Sequence, residues 1–540
     1  MWDPLGDKNM ELFPGVEHDI QELTHRDNLA KETAKELESC LIDKFEARVA
    51  QHPKKPFVIF DDTVYTYEDV DRMACKVANI ARSWSLKPRD CVAIMIQNEP
   101  SFIWTFYGLQ KLGISVSFIN HNLRSKLLVH SIQAVECKAF ICGSGKPKPV
   151  IFPQLKAVAV CCTCRSFADI SADDVVYTVL PLYHNTGCFM SLGASLLAGA
   201  TVVLRKKFSA RHFWPDCRKY KVTVVPYIGE LLRYLLSLPE NELDGTHSVR
   251  AVFGAGLRAD IWNELIKRFK IPKIVEFYGA TECAAFTANY SGKPGAVGRL
   301  SPLLHKFDPD NKVLVKFDVA TVQPIRSQNG HCIPVKVGEP GLLIAKVPDF
   351  LLNRNLYEAS LEANEKKLVR DAFVRGDVYI NYGDTLVQDE EYFLYFYDRL
   401  GDTFRWKGEN VSTQEVANAI SILPFIEDAN VYGVEIPGHE GKAGMASISL
   451  KQGEHIGKKE LDILYRQIFK ELPSYARPLL VRHLPEALVT GTFKNKKVEL
   501  AQEGFDVDRI EDPIYFLDHQ NQTYTALTSQ NCVQFLRSKL

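Results

Sequence analysis

Apolar and polar positions alternate along FVIFDDTVYTY, residues 57–67, and the alternation breaks at Asp61-Asp62, which predicts a hairpin. Thr66 then opens a helix with Asp69 as its third-position acid and an apolar face of Val70, Met73, Ala74, Val77 and Ala81. CVAIMI is a continuous apolar run suited to a buried strand, SFIWTFYGLQKLG has helical character, and ISVSFIN is a further strand. The rhythm resumes with VVYTVL, a helix across 191–197, TVVL, a helix across 211–220, VTVVPY and a helix across 229–238. RAVFGAG and KIVEFYGATE end the series as strands running into glycine-containing turns. Strand, helix and strand in repetition predict an α/β chain with a doubly wound parallel sheet. Such sheets bind ligands beyond the carboxyl ends of their strands, which makes 278–282 a candidate site from pattern alone.

From about Lys312 the pattern shifts to short β segments, GLLIAKV and VYINYGDTLVQDEEYFLYFYDRLGD. After Gly401 a smaller unit follows: a helix at 413–422, ANVYGVEI, MASISL, a helix at 458–472 and LLVRHL, with a hinge expected at 398–402. The most apolar stretch, TGCFMSLGASLLAGATVVL at 186–204, is uncharged and nearly long enough to cross a membrane. Its glycines and β-branched end predict instead a buried helix, a turn at 198–200 and a buried strand.

A length of 540 residues implies two to four domains, and a formal charge of -1 argues against a nucleic-acid partner held by phosphate neutralisation. The 13 cysteines are scattered and the polar N-terminus has no signal-peptide pattern, so a reducing compartment is expected. CCTCR is the one dense cysteine group; without a second pair at zinc spacing it predicts buried helix thiols and no metal site.

ICGSGKPKPVIF, at 141–152, has the look of a phosphate loop but fails as one of Walker type. That loop needs four residues between its first glycine and the Gly-Lys pair, whereas Gly143, Gly145 and Lys146 crowd together before Pro147. In YGATE, Thr281 and Glu282 supply a hydroxyl and a carboxylate suited to a hard cation on phosphates, although a strand-end turn with a capping threonine has the same spelling. GAGLR, at 254–258, has the spelling of a plain strand-to-helix turn, although its small residues also leave room for something to approach the backbone.

At YGATE, at YINYGDT and at YDRLGDTFRWKGENVS with its distant TGTFK, the chain resembles the AMP-forming adenylating superfamily. Within it, the closer resemblance is to the fatty acid transport protein and very-long-chain acyl-CoA synthetase family, over about 27–518. The resemblance implies the adenylate-forming enzyme fold: a large N-terminal α/β domain with doubly wound sheets and a β subdomain, plus a small mobile C-terminal α+β domain. The expected division is a polar extension at 1–30, the large domain at 31–398, the small domain at 399–518 and a tail at 519–540.

The implied reaction joins a long- or very-long-chain fatty acid to coenzyme A at the expense of ATP, with Mg²⁺, through an acyl-adenylate and in concert with fatty acid uptake. The resemblance places Tyr278, Gly279 and Ala280 along the adenine with Gly254, Ala255 and Gly256, puts Thr281 on the α-phosphate and gives Mg²⁺ to Glu282. Asp384 and Arg399 meet the ribose, Lys494 bridges the substrate carboxylate and the α-phosphate, Gly408 lines the pantetheine path and His184 lies near the acyl pocket.

The family's phosphate loop has the form TSGTTGxPK. Gly145, Lys146, Pro147 and Lys148 match its tail, while the Ser/Thr-rich front is absent, so the large domain is expected to be truncated around 143–148. Loss of that front raises one alternative, a catalytically impaired protein that binds or transports fatty acid or acyl-CoA; the shared motifs leave a second, a bile-acid-CoA ligase.

The chain ends in Ser538-Lys539-Leu540, the tripeptide read by the peroxisomal import receptor, while VQFLRSKL also has the spacing of a docked amphipathic helix. Peroxisomal localisation is the expectation, with endoplasmic reticulum or plasma membrane as the alternative and peripheral membrane contact through the substrate entrance.

Overall fold

The predicted hairpin is present: β1 (Pro56–Phe60) pairs antiparallel with β2 (Thr63–Thr66). Asp61 and Asp62 turn the chain in the left-handed region, φ 44° and 66°, which short polar side chains tolerate. Thr66 caps the helix Tyr67–Arg82: its hydroxyl accepts the Asp69 amide at 3.1 Å, and the Asp69 carboxylate accepts the Thr66 amide at 3.0 Å. The computed structural model describes residues 16–119, 137–142, 154–279, 286–308, 311–318, 321, 323–347, 367–399, 403–407, 409–437, 439, 441–485 and 497–537.

The chain divides into two units, Met1–Phe307 with Asp349–Lys366, and Asp308–Pro348 with Lys367–Leu540. In the first unit the strands form two sheets. The strands β3 (Cys91–Met95), β4 (Ser115–Phe118) and β5 (Ala139–Cys142) run parallel in the order β4-β3-β5. The larger sheet adds β6 (Val175–Thr178), β7 (Thr201–Leu204), β8 (Val224–Ile228), β9 (Ala251–Ala255), β10 (Ile274–Gly279) and β11 (Phe286–Asn289) to the hairpin. Its order is β11-β10-β9-β8-β6-β7-β1-β2, parallel from β10 to β1 and closed at both edges by antiparallel strands. The order jumps because helices return the chain to either side of β6, the signature of double winding. Aromatic pairs fill the core, with Phe45 stacked on Tyr107 at 4.2 Å and Phe57 on Tyr67 at 4.3 Å. Each such buried ring contributes roughly 1.5–3 kcal/mol.

The stretch at 186–204 is core. It forms a π-helix, Thr186–Gly193, a short helix, Ala194–Ala198, a left-handed Gly199 (φ 74°) and then β7, buried at every position. Among the described residues no helix is long and apolar enough to cross a membrane. Cys161, Cys162 and Cys164 are buried on the helix Gln154–Phe167, and burial pushes all three thiols up.

Residues 16–30 are not a free extension. They lie on the helix Val16–Glu36, which is tied into the first unit by an ion pair between Asp19 and Arg299. His25 Nε2 and the Ser166 hydroxyl are 2.7 Å apart, and Arg165 donates to Glu32 at 2.6 Å. Composition makes this segment read as an extension because its anchor, Arg299, is 280 positions away in sequence. Both charges of the Asp19–Arg299 pair are almost fully buried, at 0% and 2% side-chain exposure. Removing one strands the other, so Asp19→Ala is expected to cost about 3–5 kcal/mol. A denaturant midpoint measures this; a loss under about 1 kcal/mol would place the pair among weak surface contacts.

In the second unit, the strands Val313–Val315, Gly341–Lys346, Val378–Gln388 and Phe393–Arg399 build an antiparallel layer, with Leu368–Arg370 also paired to Val378–Gln388. A separate sheet takes Ile426–Glu435, Lys442–Leu450, Leu480–His483, Ile514–Asp518 and Thr523–Ala526 in that order. It shares one core, from Phe404 to Phe535, with the helices Thr413–Ser421 and Lys458–Glu471. The division expected at 398/399 falls between these two sheets, inside one unit. The residues expected as a tail at 519–540 are largely folded: Thr523–Ala526 is an edge strand, Tyr524 is buried, and the helix Ser529–Arg537 seats Phe535 against Phe516 and Phe505. Residues 538–540 lie outside the described residues.

Candidate functional site

Parallel strands β6, β8, β9 and β10 are neighbours, so their carboxyl ends share one edge of the sheet. Beyond β6 lies His184, beyond β8 Gly229, beyond β9 the 254–258 loop, and at the end of β10 Tyr278 and Gly279.

The 254–258 loop rests directly on neighbouring backbone. A Cβ at Gly254 would lie 2.2 Å from the Tyr227 carbonyl oxygen, and one at Gly229, 1.7 Å from that of Gly256. Only hydrogen fits at either position. Ala255 is half-buried, Gly256 exposed and Leu257 buried, so the loop keeps a small-residue edge toward solvent. Glu276 fixes it from below. On β10, in register with Gly254, its carboxyl accepts the amides of Gly256 (2.5 Å) and Leu257 (3.0 Å) and the Tyr227 hydroxyl. Burial pushes the Glu276 carboxyl up to about 8, with the three donors pulling against it. Two residues on, Tyr278 is 9% exposed and Gly279 is exposed.

His184 is half-buried, with Nδ1 2.8 Å from the Thr186 hydroxyl at the start of the π-helix. One inserted residue in the helical ladder, common at functional sites, distinguishes this segment from the ordinary helix expected there.

In the second unit, Asp384 and Arg399 face each other across adjacent antiparallel strands, with Arg399 Nε donating to Asp384 Oδ1 at 3.2 Å. Asp384 is buried, whereas the Arg399 side chain is 54% exposed. The pair presents an acceptor oriented by a cation, which suits a vicinal diol. Asp398, first residue of the expected hinge, is anchored: its carboxylate accepts the Thr413 amide at 2.7 Å and the Thr413 and Thr403 hydroxyls at 3.1 Å each. Lys497 donates to the same Thr413 hydroxyl at 2.7 Å.

The structure thus brings Gly254, Ala255 and Gly256 beside Tyr278 and Gly279 on adjoining strands, and pairs Asp384 with Arg399. Gly145, Lys148, Ala280, Thr281, Glu282, Gly408 and Lys494 lie outside the described residues. Glu276 and Tyr227 are additional. The signal for Glu276 was available in IVEFY, where a lone acid sits in an otherwise apolar strand. A small-residue loop suits a flat base, and an oriented carboxylate a ribose, so the chemistry of each set fits part of a nucleotide.

The model of the AMP-binding enzyme family matches residues 45–144 and 143–319, together more than half of the chain. Mouse long-chain fatty acid transport protein 6 is 39% identical over 566 aligned positions, covering 91% of this chain and 89% of that one. Rat long-chain fatty acid transport protein 2 is 39% identical over 559 positions, covering 90% and 89%. The anthranilate CoA ligase AuaEII in complex with anthranoyl-AMP superposes with a TM-score of 0.70 at 16% identity, over 87% of this chain and 98% of that one. O-succinylbenzoate coenzyme A synthetase from Bacillus subtilis, with ATP and magnesium ion, gives 0.67 at 20% identity, over 85% and 98%. The fold is that of adenylate-forming enzymes. The chain belongs to the AMP-binding enzyme family and, within it, to the fatty acid transport protein and very-long-chain acyl-CoA synthetase family.

Proposed function

We propose that this chain is an AMP-forming ligase for long- and very-long-chain fatty acids, coupled to their uptake, in a form that has lost its phosphate loop. The observation that carries the first part is the extent of its likeness to proteins named long-chain fatty acid transport proteins, nine-tenths of the chain. Two facts support the second. The two family-model matches meet at residues 143 and 144, inside the broken loop. Alignment to the mouse relative runs over 566 positions although the chain has 540 residues, so relatives carry segments with no counterpart here.

In the first half-reaction a fatty acid carboxylate oxygen bonds to the α-phosphorus of ATP, and the bond to the bridging oxygen breaks as pyrophosphate leaves. In the second, the thiolate of coenzyme A takes the acyl carbon and AMP leaves. Little of this is covalent work for the protein; holding charged oxygens in line carries the catalysis. The 254–258 loop and Tyr278 hold the base, Asp384 and Arg399 the ribose, Thr281 the α-phosphate and Lys494 both reacting groups. Bound Mg²⁺, on Glu282, would offset phosphate charge. Loss of the loop favours a second reading, a fatty-acid or acyl-CoA binding protein with little turnover. The two readings separate when fatty acid binding and acyl-CoA formation are measured on the same preparation: slow turnover that depends on ATP and fatty acid supports the ligase, and binding with no turnover at all the second reading.

Peroxisomal import through Ser538-Lys539-Leu540, with peripheral membrane contact at the substrate entrance, is part of the same proposal. Such a tripeptide is read only when it is terminal and exposed to its receptor. A fluorescent protein at the N-terminus, with Leu540 left free, is expected to give punctate peroxisomal signal that is lost when 538–540 are deleted. The same reticular pattern from both would show that the tripeptide is unread.

A further inference from the structure

The base subsite contains an unexplained acid. Glu276 is 1% exposed, and among the described residues its carboxyl has no cationic partner. An isolated buried acid costs several kcal/mol unless its environment compensates, so core packing alone would favour an apolar residue at this strand position. Its contacts identify the compensation. One oxygen takes both consecutive amides of the loop that follows β9, and the other takes the hydroxyl of Tyr227 on β8. The carboxyl therefore joins three adjacent strands at their carboxyl ends. The loop it holds has a positive φ at Gly256 (86°) and backbone pressed against Gly229, a shape with little intrinsic preference to persist unaided.

We propose that Glu276 is a positioning residue for nucleotide recognition: through the Gly256 and Leu257 amides it fixes the 254–258 loop in the shape that presents its outer edge to adenine. This rests on the reading of that loop as the base subsite. Glu276 touches no substrate; its effect on binding is transmitted by the loop backbone. Glutamine is the substitution that preserves the role, because its carbonyl oxygen still accepts both amides and its NH₂ can donate to the Tyr227 oxygen. Alanine removes every acceptor and leaves three donors, the Gly256 and Leu257 amides and the Tyr227 hydroxyl, without it.

The test is calorimetric binding of AMP and of GMP to the full chain, which reads base discrimination separately from general affinity. The unaltered chain is expected to prefer AMP at least tenfold. Glu276→Ala is expected to reduce that preference threefold or more, while Glu276→Gln keeps it within twofold. Tyr227→Phe, which leaves the core filled and removes only the hydroxyl, is expected to reduce it more than twofold, and reads the same role should Glu276→Ala fail to fold. Unchanged discrimination in Glu276→Ala, or in Tyr227→Phe where alanine does not fold, overturns the proposal even if affinity for both nucleotides falls. Absence of any AMP preference in the unaltered chain overturns the base-subsite reading itself, and the role of Glu276 with it.

Discussion

Restoring the Ser/Thr-rich front of the phosphate loop ahead of Gly145 is expected to raise acyl-CoA formation from fatty acid, ATP and coenzyme A at least a hundredfold. The missing backbone N–H groups and hydroxyls are those that would meet charge building on pyrophosphate as it departs. One preorganised donor aimed at developing charge is worth roughly 3 kcal/mol, and each 1.36 kcal/mol is about tenfold in rate. The remnant supplies Gly145 and two lysines, and Pro147 carries no N–H to donate. Lysine charge alone does not replace an arc of fixed amides, because it is not preorganised around the leaving group. Equal rates for the two forms would show that the loop front is dispensable, and with it the explanation offered for the break at 143–144.

In the loop-restored protein, Lys494→Ala is expected to slow adenylation at least a hundredfold and to leave thioester formation from supplied acyl-adenylate within about threefold. A single ammonium that bridges the attacking carboxylate and the α-phosphate acts where two negative groups must approach, and deleting a charge-stabilising contact of this kind costs about 3 kcal/mol or more. Once the adenylate exists that repulsion has been overcome, so the second half-reaction has no need of the same cation. Rapid-quench measurement of each half-reaction separates them. Equal damage to both would mean that Lys494 supports the small domain as a whole rather than the first chemical step.

Local signals in the sequence identified much of this fold. Asp61-Asp62, Thr66 with Asp69, and the β-branched run TVVL each determine their own surroundings through turn chemistry, capping or burial, and the structure has them as expected. Features set by distant partners were not legible. Residues 16–30 join the core through a buried ion pair with Arg299, and the C-terminal strand and helix through Tyr524 and Phe535, none of which a local window links. The π-helix at Thr186–Gly193 has no compositional mark, since its extra residue is accommodated by packing. Among the candidate residues, 254–256 and the residues Asp384 and Arg399 could be named by motif, whereas the strand pairing that sets Asp384 against Arg399, and the contacts of Glu276 with β8 and β9, emerge only from the fold.

Fatty-acid-dependent exchange of labelled pyrophosphate into ATP isolates the adenylation step from coenzyme A and from transport. Loop-restored protein is expected to exchange label only when a long-chain fatty acid is present, with the present chain at least a hundredfold slower under the same conditions. Restored protein that exchanges no label with any fatty acid, or a present chain that matches it, would contradict an adenylating enzyme disabled at its phosphate loop.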